Sequence, residues 1–358
     1  MNATENEMKR RQWLVRTPGV FADLRDEVFS SMSCVVRRDF GGYRLVDLPA
    51  GASPLSGEAG IFVSWCLPVH HAWPCDPGKM DGFVEKAASG LQRKFADAAP
   101  QALWVGAMED GPAHGWFKRL ASNVRGRALQ LFPGAAVPLT EAGAQDPECP
   151  ALFCLIGKHG LFAGMASPRE CNGFYPGGVR YLPKAAEKTI SRAGAKLAEA
   201  LHHGRLFGTP PGERSHWLEL GASPGGMTAE LLHRGAAVTA VDRAALDERL
   251  SGAERLIFVR QDVATFQPPA GARYDALLCD MNGEPLDAMA QVLRLSKFIR
   301  PGAWIIFTLK TTGGESYEAM LGLHAQVLAM SETAGLRHLG TRHLSGNRRE
   351  FTLWFTCC

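Results

Sequence analysis

Residues 218–246 read LELGASPGGMTAELLHRGAAVTAVDRAAL. The opening residues can end a buried strand. The chain then turns through Gly221, Pro224, Gly225 and Gly226, enters an amphipathic stretch, and passes into a second apolar run that stops at Asp242. Glycines let a ligand approach the backbone closely, and a helix start offers unpaired N–H groups. An acid about 20 positions on, ending the next strand, can accept hydrogen bonds from ribose hydroxyls, and Asp242 stands there. The stretch predicts a seat for a nucleoside-based cofactor. A dinucleotide seat would carry GxGxxG. Here Gly-Ala-Ser-Pro-Gly-Gly takes its place, with no glycine triad for a pyrophosphate. S-adenosylmethionine, with ribose and adenine but no phosphate, suits this turn better. Asp262, in FVRQDVATF after the following apolar run, is placed to accept from the adenine amino group. A plain tight turn with a solvated acid explains either feature alone, but not the whole strand–turn–helix–strand–acid set.

Outward from that turn, apolar runs alternate with helical patterns from about residue 215 to the C-terminus. HWLEL, AAVTAVD, RLIFVRQD, YDALLCD and AWIIFTLK read as strands, and PLDAMAQVLRLSKFI reads as a helix stopped by Pro301-Gly302. This alternation predicts a mostly parallel, doubly wound α/β sheet. LRHLGTRHL and EFTLWFT, joined by SGNRR, predict an antiparallel finish at its edge. Two strands end in ionisable residues, Asp280 and Lys310. The carboxyl ends of strands are where open α/β sheets bind ligands. Lys196, in the helical stretch SRAGAKLAEAL with an expected buried stripe of Ile190, Ala193, Leu197 and Leu201, and Glu350, at the start of the last strand, complete the candidate charges. Taken singly, each of these two reads as a surface charge.

Ahead of the sheet the pattern is less regular. QWLVRTPGVFADLRDEVFSSM and GYRLVDL predict a small α+β unit. A second unit runs from AGIFVSWCLPV to ALFCLIGKHGLFAGMAS, with DGFVEKAASGLQRKFADAA as an amphipathic helix. The Gly- and Pro-rich SPRECNGFYPGGVRYLPKAAEKT reads as a linker. The formal charge of +3 indicates no strong global field toward DNA or an anionic membrane. Nine cysteines without a CxxC pair fit reduced thiols better than a disulfide framework. No run approaches the ~20 apolar residues of a membrane span, and the N-terminus has no secretory h-region, so the expected location is the cytoplasm. His70, His71 and Cys75 in PVHHAWPC read as loop or structural residues, and no metal is expected. Lys118, Arg119, Arg125 and Arg127 lie in a stretch without acids. Arg180, Lys184, Lys188 and Arg192 lie near Phe174, Tyr175 and Tyr181. Such interleaving suits an RNA backbone with stacking platforms, although solvated helix faces look the same. Arg342, Arg348 and Arg349 are further candidate phosphate contacts.

SRAGAKL, GASPGGMT, CDMNGEP, FTLK and RREFTLWF occur here in the order found in FtsJ-like (RrmJ-type) RNA ribose 2′-O-methyltransferases. The chain resembles most the branch that acts on a cytidine of bacterial 23S rRNA and carries a THUMP domain ahead of the catalytic one. GFYPGGVRYLPKAAEKTISRAGAKLAEAL resembles that branch's domain junction. The resemblance implies an N-terminal ferredoxin-like α+β unit over 1–58, a THUMP-like RNA-binding domain over 59–168, a linker over 169–188 and a Rossmann-like class I methyltransferase domain over 189–358. It implies a catalytic set of Lys310, Lys196, Asp280 and Glu350. It also implies S-adenosylmethionine contacts from Ser191, Gly221, Ser223, Pro224, Gly225, Gly226, Met227, Asp242, Asp262 and Asp280. Met227 is a departure, since the family often has an aromatic residue there. The implied partner is large-subunit rRNA, without DNA or membrane, and the chain is expected as a monomer or weak dimer. In the expected chemistry Lys310 is the base, helped to lose its proton by partial burial and by the neighbouring charge of Lys196. The acids position the lysines. A tRNA or small-molecule methyltransferase, a non-catalytic ribosome-assembly factor and a dehydrogenase remain as rival readings.

Overall fold

The computed structural model describes residues 10–108, 114–135, 146–178, 190–311 and 316–358. The chain divides into two compact units, residues 1–180 and 181–358.

The N-terminal unit is layered because its strands bury both faces. Strand β1 (Arg10–Arg16) carries consecutive buried residues Trp13, Leu14 and Val15. Successive side chains point to opposite faces of a strand, so β1 contributes to two cores. Trp13 and Val15 pack with Phe29 of helix α1 (Arg25–Ser31). Leu14 joins Trp65, Trp104 and Phe153 on the other side. The first sheet is antiparallel, ordered β2 (Val35–Asp39), β3 (Tyr43–Pro49), β1, β4 (Trp65–Pro68). The second is ordered β5 (His71–Trp73), β8 (Gly160–Ala166), β7 (Ala151–Gly157), β6 (Ala102–Ala107). Every residue of β7 is buried. Phe153 and Leu155 face the first sheet's core, while Leu152, Cys154 and Ile156 meet helices α2 (Phe83–Phe95) and α3 (His114–Leu131).

Two organisational expectations change here. The first sheet takes in β4, past the boundary expected at residue 58, because Trp65, Cys66 and Leu67 are all buried against β1. Residues 169–178 are not a free linker: Cys66 N–H donates to the Cys171 carbonyl at 3.1 Å, Asn172 Nδ2 to the Val63 carbonyl at 2.8 Å, and Arg16 to the Gly177 carbonyl at 2.7 Å. The rest of that expected linker, 179–188, lies outside the described residues.

The C-terminal unit is a seven-stranded sheet of Rossmann-like α/β type. Its order is β11 (Leu256–Arg260), β10 (Ala237–Asp242), β9 (His216–Leu220), β12 (Tyr274–Cys279), β13 (Ile299–Lys310), β15 (Glu350–Cys357), β14 (Leu336–Arg342). The first five are parallel, and β15 runs antiparallel between β13 and β14. Its helices are α4 (Ala193–Gly204), α5 (Gly226–His233), α6 (Pro285–Ser296) and α7 (Tyr317–Thr333). Helix α4 starts later than the expected stripe: Ile190 precedes it, and its core contacts come from Leu197, Ala200 and Leu201. A Cβ on Gly204 would lie 2.6 Å from Trp304 and 2.8 Å from Trp354, so glycine is what lets α4 seat on those rings. Chain order reverses between β9 and β12, the switch point where such sheets open a crevice. Among the described residues, no helix is long and apolar enough to cross a membrane, and no group of three or more His, Cys, Asp or Glu could hold a metal ion. All nine cysteines are free.

Candidate active site

The glycine turn sits at the carboxyl end of β9, with the end of β12 beside it. Gly221 has φ +79°, and a Cβ there would lie 2.9 Å from the Met281 backbone, so both conformation and space demand glycine. A Cβ on Gly226, at the start of α5, would strike the Ser191 hydroxyl oxygen. That hydroxyl accepts from Ala193 N–H at 3.3 Å, so it helps set the entry of α4. Asp242 holds the turn closed. One carboxylate oxygen accepts from Ser223 N–H at 2.9 Å and the other from Ala244 N–H at 2.8 Å. Asp262 accepts from Ala264 N–H at 2.9 Å and lies 3.7 Å from Arg243.

These residues surround a cavity of about 440 Å³, within the range of small-molecule sites. Of the expected cofactor residues, Gly221, Ser223, Pro224, Gly226, Met227, Asp242, Asp262 and Asp280 line it. Ser191 and Gly225 are not among its walls. Asn282, Lys310 and Glu219 also line it.

The four expected catalytic residues come together from four elements. Lys196 on α4 reaches Asp280 at 3.3 Å and Glu350 at 2.9 Å. Lys310, ending β13, lies 3.2 Å from the same Asp280 oxygen, and donates at 2.8 Å to both the Asp280 carbonyl and Asn282 Oδ1. The β13–β15 register sets Lys310 opposite Glu350. Lys196 is far from a surface charge, its side chain only 10% exposed. Both lysine nitrogens lie within 3.3 Å of Asp280 Oδ1.

Four contributors were missed in the sequence. Glu219 is buried as the next-to-last residue of β9, and its side chain accepts from the Thr228 hydroxyl at 2.7 Å. Burial pushes its carboxyl up to about 8, against the pull of that hydroxyl, with Asp280 and Asp242 adding to the rise. The signal was an acid between two leucines in a buried strand. Asn282 is an acceptor for Lys310. Arg243 beside Asp262 is a third. Glu199, one turn after Lys196, accepts from both the backbone N–H and the hydroxyl of Ser345. It thereby ties the β14–β15 loop, which leads to Glu350, onto α4.

The expected RNA contacts fare unevenly. Lys118 and Arg119 are exposed on α3, and Arg125 is half-buried. Arg127 is held by Glu85 at 2.6 and 3.0 Å, which makes it part of a surface ion pair. Arg348 is exposed in the β14–β15 loop. Arg342 is 2% exposed and Phe174 1%, so neither presents itself to a nucleic acid. Arg180 and Lys184 lie outside the described residues, as do Tyr181 and Lys188. His70 Nδ1 accepts from Met165 N–H at 3.0 Å, a structural role.

Residues 189–327, which contain the turn, Lys196, Asp280 and Lys310, match the family model for "FtsJ-like methyltransferase". Those residues are similar to an FtsJ-like methyltransferase domain. Beyond it, the chain is 30% identical over 184 residues to "Ribosomal RNA large subunit methyltransferase M" of Mannheimia succiniciproducens, covering 49% of this chain and 48% of that one. Against the protein of the same name from Methylococcus capsulatus it is 28% identical over 273 residues, 74% of this chain and 71% of that one. Against that of Pseudoalteromonas atlantica it is 32% identical over 192 residues, 51% and 52%. The Methylococcus protein aside, the chain's match spans about half the length of these curated relatives.

The cofactor of an FtsJ-like domain is S-adenosylmethionine, and the cavity suits it. Its walls carry four carboxyl groups, Glu219, Asp242, Asp262 and Asp280, against two basic side chains, Arg243 and Lys310. Acceptors of this kind serve hydroxyls, amines and a positive charge. They would repel a pyrophosphate.

Proposed function

We propose that the chain transfers a methyl group from S-adenosylmethionine to the 2′ hydroxyl of a ribose, a cytidine, in large-subunit (23S) rRNA. The observation that carries this reading is the convergence of Lys196, Asp280, Lys310 and Glu350, of which Asp280 and Lys310 line the acid-rich cavity. The cofactor supplies a methyl on a sulfonium, an electrophile that needs an in-line nucleophile. A ribose hydroxyl becomes that nucleophile only as it gives up its proton. Lys310, once it has released its own proton to solvent, takes that proton as the free amine. Its three neighbours, the Asp280 carbonyl, Asp280 Oδ1 and Asn282 Oδ1, are all acceptors and match the three N–H bonds of an ammonium. The site thus stabilises charge that grows on Lys310 as the methyl moves. Lys196 holds Asp280 and Glu350 in place.

In this reading the N-terminal unit, as a ferredoxin-like fold and a THUMP-like domain, grips the RNA, with Lys118, Arg119 and Arg125 among its phosphate contacts and Arg348 near the reacting ribose. The test is to offer purified protein and labelled S-adenosylmethionine separately to unmodified 23S rRNA, 16S rRNA and tRNA, then digest to nucleosides. Label in 2′-O-methylcytidine from 23S rRNA alone is the expected result. Label in tRNA, or on a base, would replace this reading with the rival methyltransferases.

A further inference from the structure

We infer that Glu219 distinguishes the sulfonium cofactor from its demethylated thioether product, ionising when the sulfonium adds its charge to the cavity and keeping its proton with the thioether, which brings only the charge-balanced amino-acid end that the two ligands share. The inference rests on the cofactor reading above. Glu219 is 2% exposed, stands between Leu218 and Leu220 near the end of β9, and lines the cavity. A hydrophobic side chain would suffice for packing, so a carboxyl there calls for a use. Its environment favours the neutral form. Thr228 on α5 gives it a hydroxyl donor and a backbone N–H. Asp242 at the end of β10 and Asp280 at the end of β12 face the same space and oppose a further negative charge. The cations nearby are engaged elsewhere: Lys310 on β13 and Lys196 on α4 pair with Asp280, and Arg243 lies against Asp262. A free carboxyl so placed keeps its proton up to about pH 8.

A sulfonium in the cavity stabilises the carboxylate, so its binding expels a proton. Below the bound-state pKa both states are protonated and nothing is gained. Between that value and about 8 the affinity for the cation rises with pH, and above about 8 it levels. The thioether produces no such rise. Both ligands carry the same amino-acid end, so its own titration cancels in their ratio. The consequence for the reaction is that losing the methyl returns the proton to Glu219 and loosens the site's preference for what it holds.

The test is calorimetric titration of the protein with S-adenosylmethionine and S-adenosylhomocysteine from pH 6 to pH 9, in buffers of different ionisation heat. The expected result is extra proton release with the sulfonium, and an affinity ratio that climbs by up to about tenfold per pH unit before levelling. Glu219→Gln should flatten the ratio. Thr228→Val, which removes the hydroxyl donor to the carboxylate and leaves the backbone one, should move the rise to higher pH. A flat wild-type ratio with both ligands binding overturns the inference and leaves the cofactor reading intact. Binding of neither ligand by the wild type removes both.

Discussion

Two groups of positive charge in this chain look alike in sequence and differ in structure. In the C-terminal unit, Lys196 and Lys310 are 10% and 22% exposed and share one aspartate. In the N-terminal unit, Lys118 and Arg119 are fully on the surface of α3, and Arg127 makes an ordinary exposed pair with Glu85. Taking charges out of water costs several kcal/mol per ion unless pairing offsets it, whereas an exposed helix charge costs nothing. Convergence plus burial therefore marks chemistry, and charge density alone marks only a surface.

The comparison breaks if the two groups respond alike to substitution. Lys196→Ala should have the largest effect. It leaves Asp280 and Glu350 without their shared cation, and methyl transfer should fall by roughly 10²–10⁴-fold in single-turnover assays. Unfolding by denaturant should show a loss on the order of 1–3 kcal/mol, discounted for the partial exposure of the acids.

Glu219→Gln should come next, with a sign set by linkage. The Glu219 carboxyl is raised from its ordinary value of 4.5 to about 8, so its favourable contribution is complete below about pH 4.5 and is lost as pH rises toward 8. The variant should be close to wild type in stability at pH 4.5. At pH 8 it should be more stable, by roughly 2–4 kcal/mol in denaturant titrations. A constant difference across that window would contradict the buried neutral carboxyl.

Smaller still, Glu199→Gln should cost about 1–2 kcal/mol, because Ser345 loses its paired acceptor. It should slow transfer while leaving cofactor affinity unchanged in titration, since Glu199 acts through the loop leading to Glu350. The smallest effect belongs to the surface. Lys118→Ala with Arg119→Ala should leave stability and cofactor binding untouched, weaken RNA binding only several-fold, and reduce the salt slope by about 1 per charge. Filter binding at several salt concentrations would show it.

What could be read in advance follows the same division. The glycine turn, Asp242, and the strand ends Asp280 and Lys310 were legible because strand and helix periods alternate cleanly there and strand ends point into the crevice. Lys196 and Glu350 stood out only through the resemblance, since a lysine on a helix and a glutamate starting a strand are ordinary surface residues. Glu219 was hidden inside an apolar run, where its burial depends on neighbours far away in sequence. The N-terminal layers were hidden for a different reason. Trp13, Leu14 and Val15 are all buried, so β1 lacks the alternation that reveals a strand's inner face. Its pairing with β4 joins segments far apart in the chain, which no local pattern records.

The central claim is that Lys310 takes the proton from the ribose hydroxyl. It is tested most directly by the single-turnover rate of 2′-O-methyl formation on protein-free large-subunit rRNA, with wild type and Lys310→Ala side by side under saturating S-adenosylmethionine. The expected result is product from the wild type, a fall of about 10²-fold or more in the variant, and similar cofactor affinity in both. Equal rates would contradict it and remove Lys310 from the chemistry.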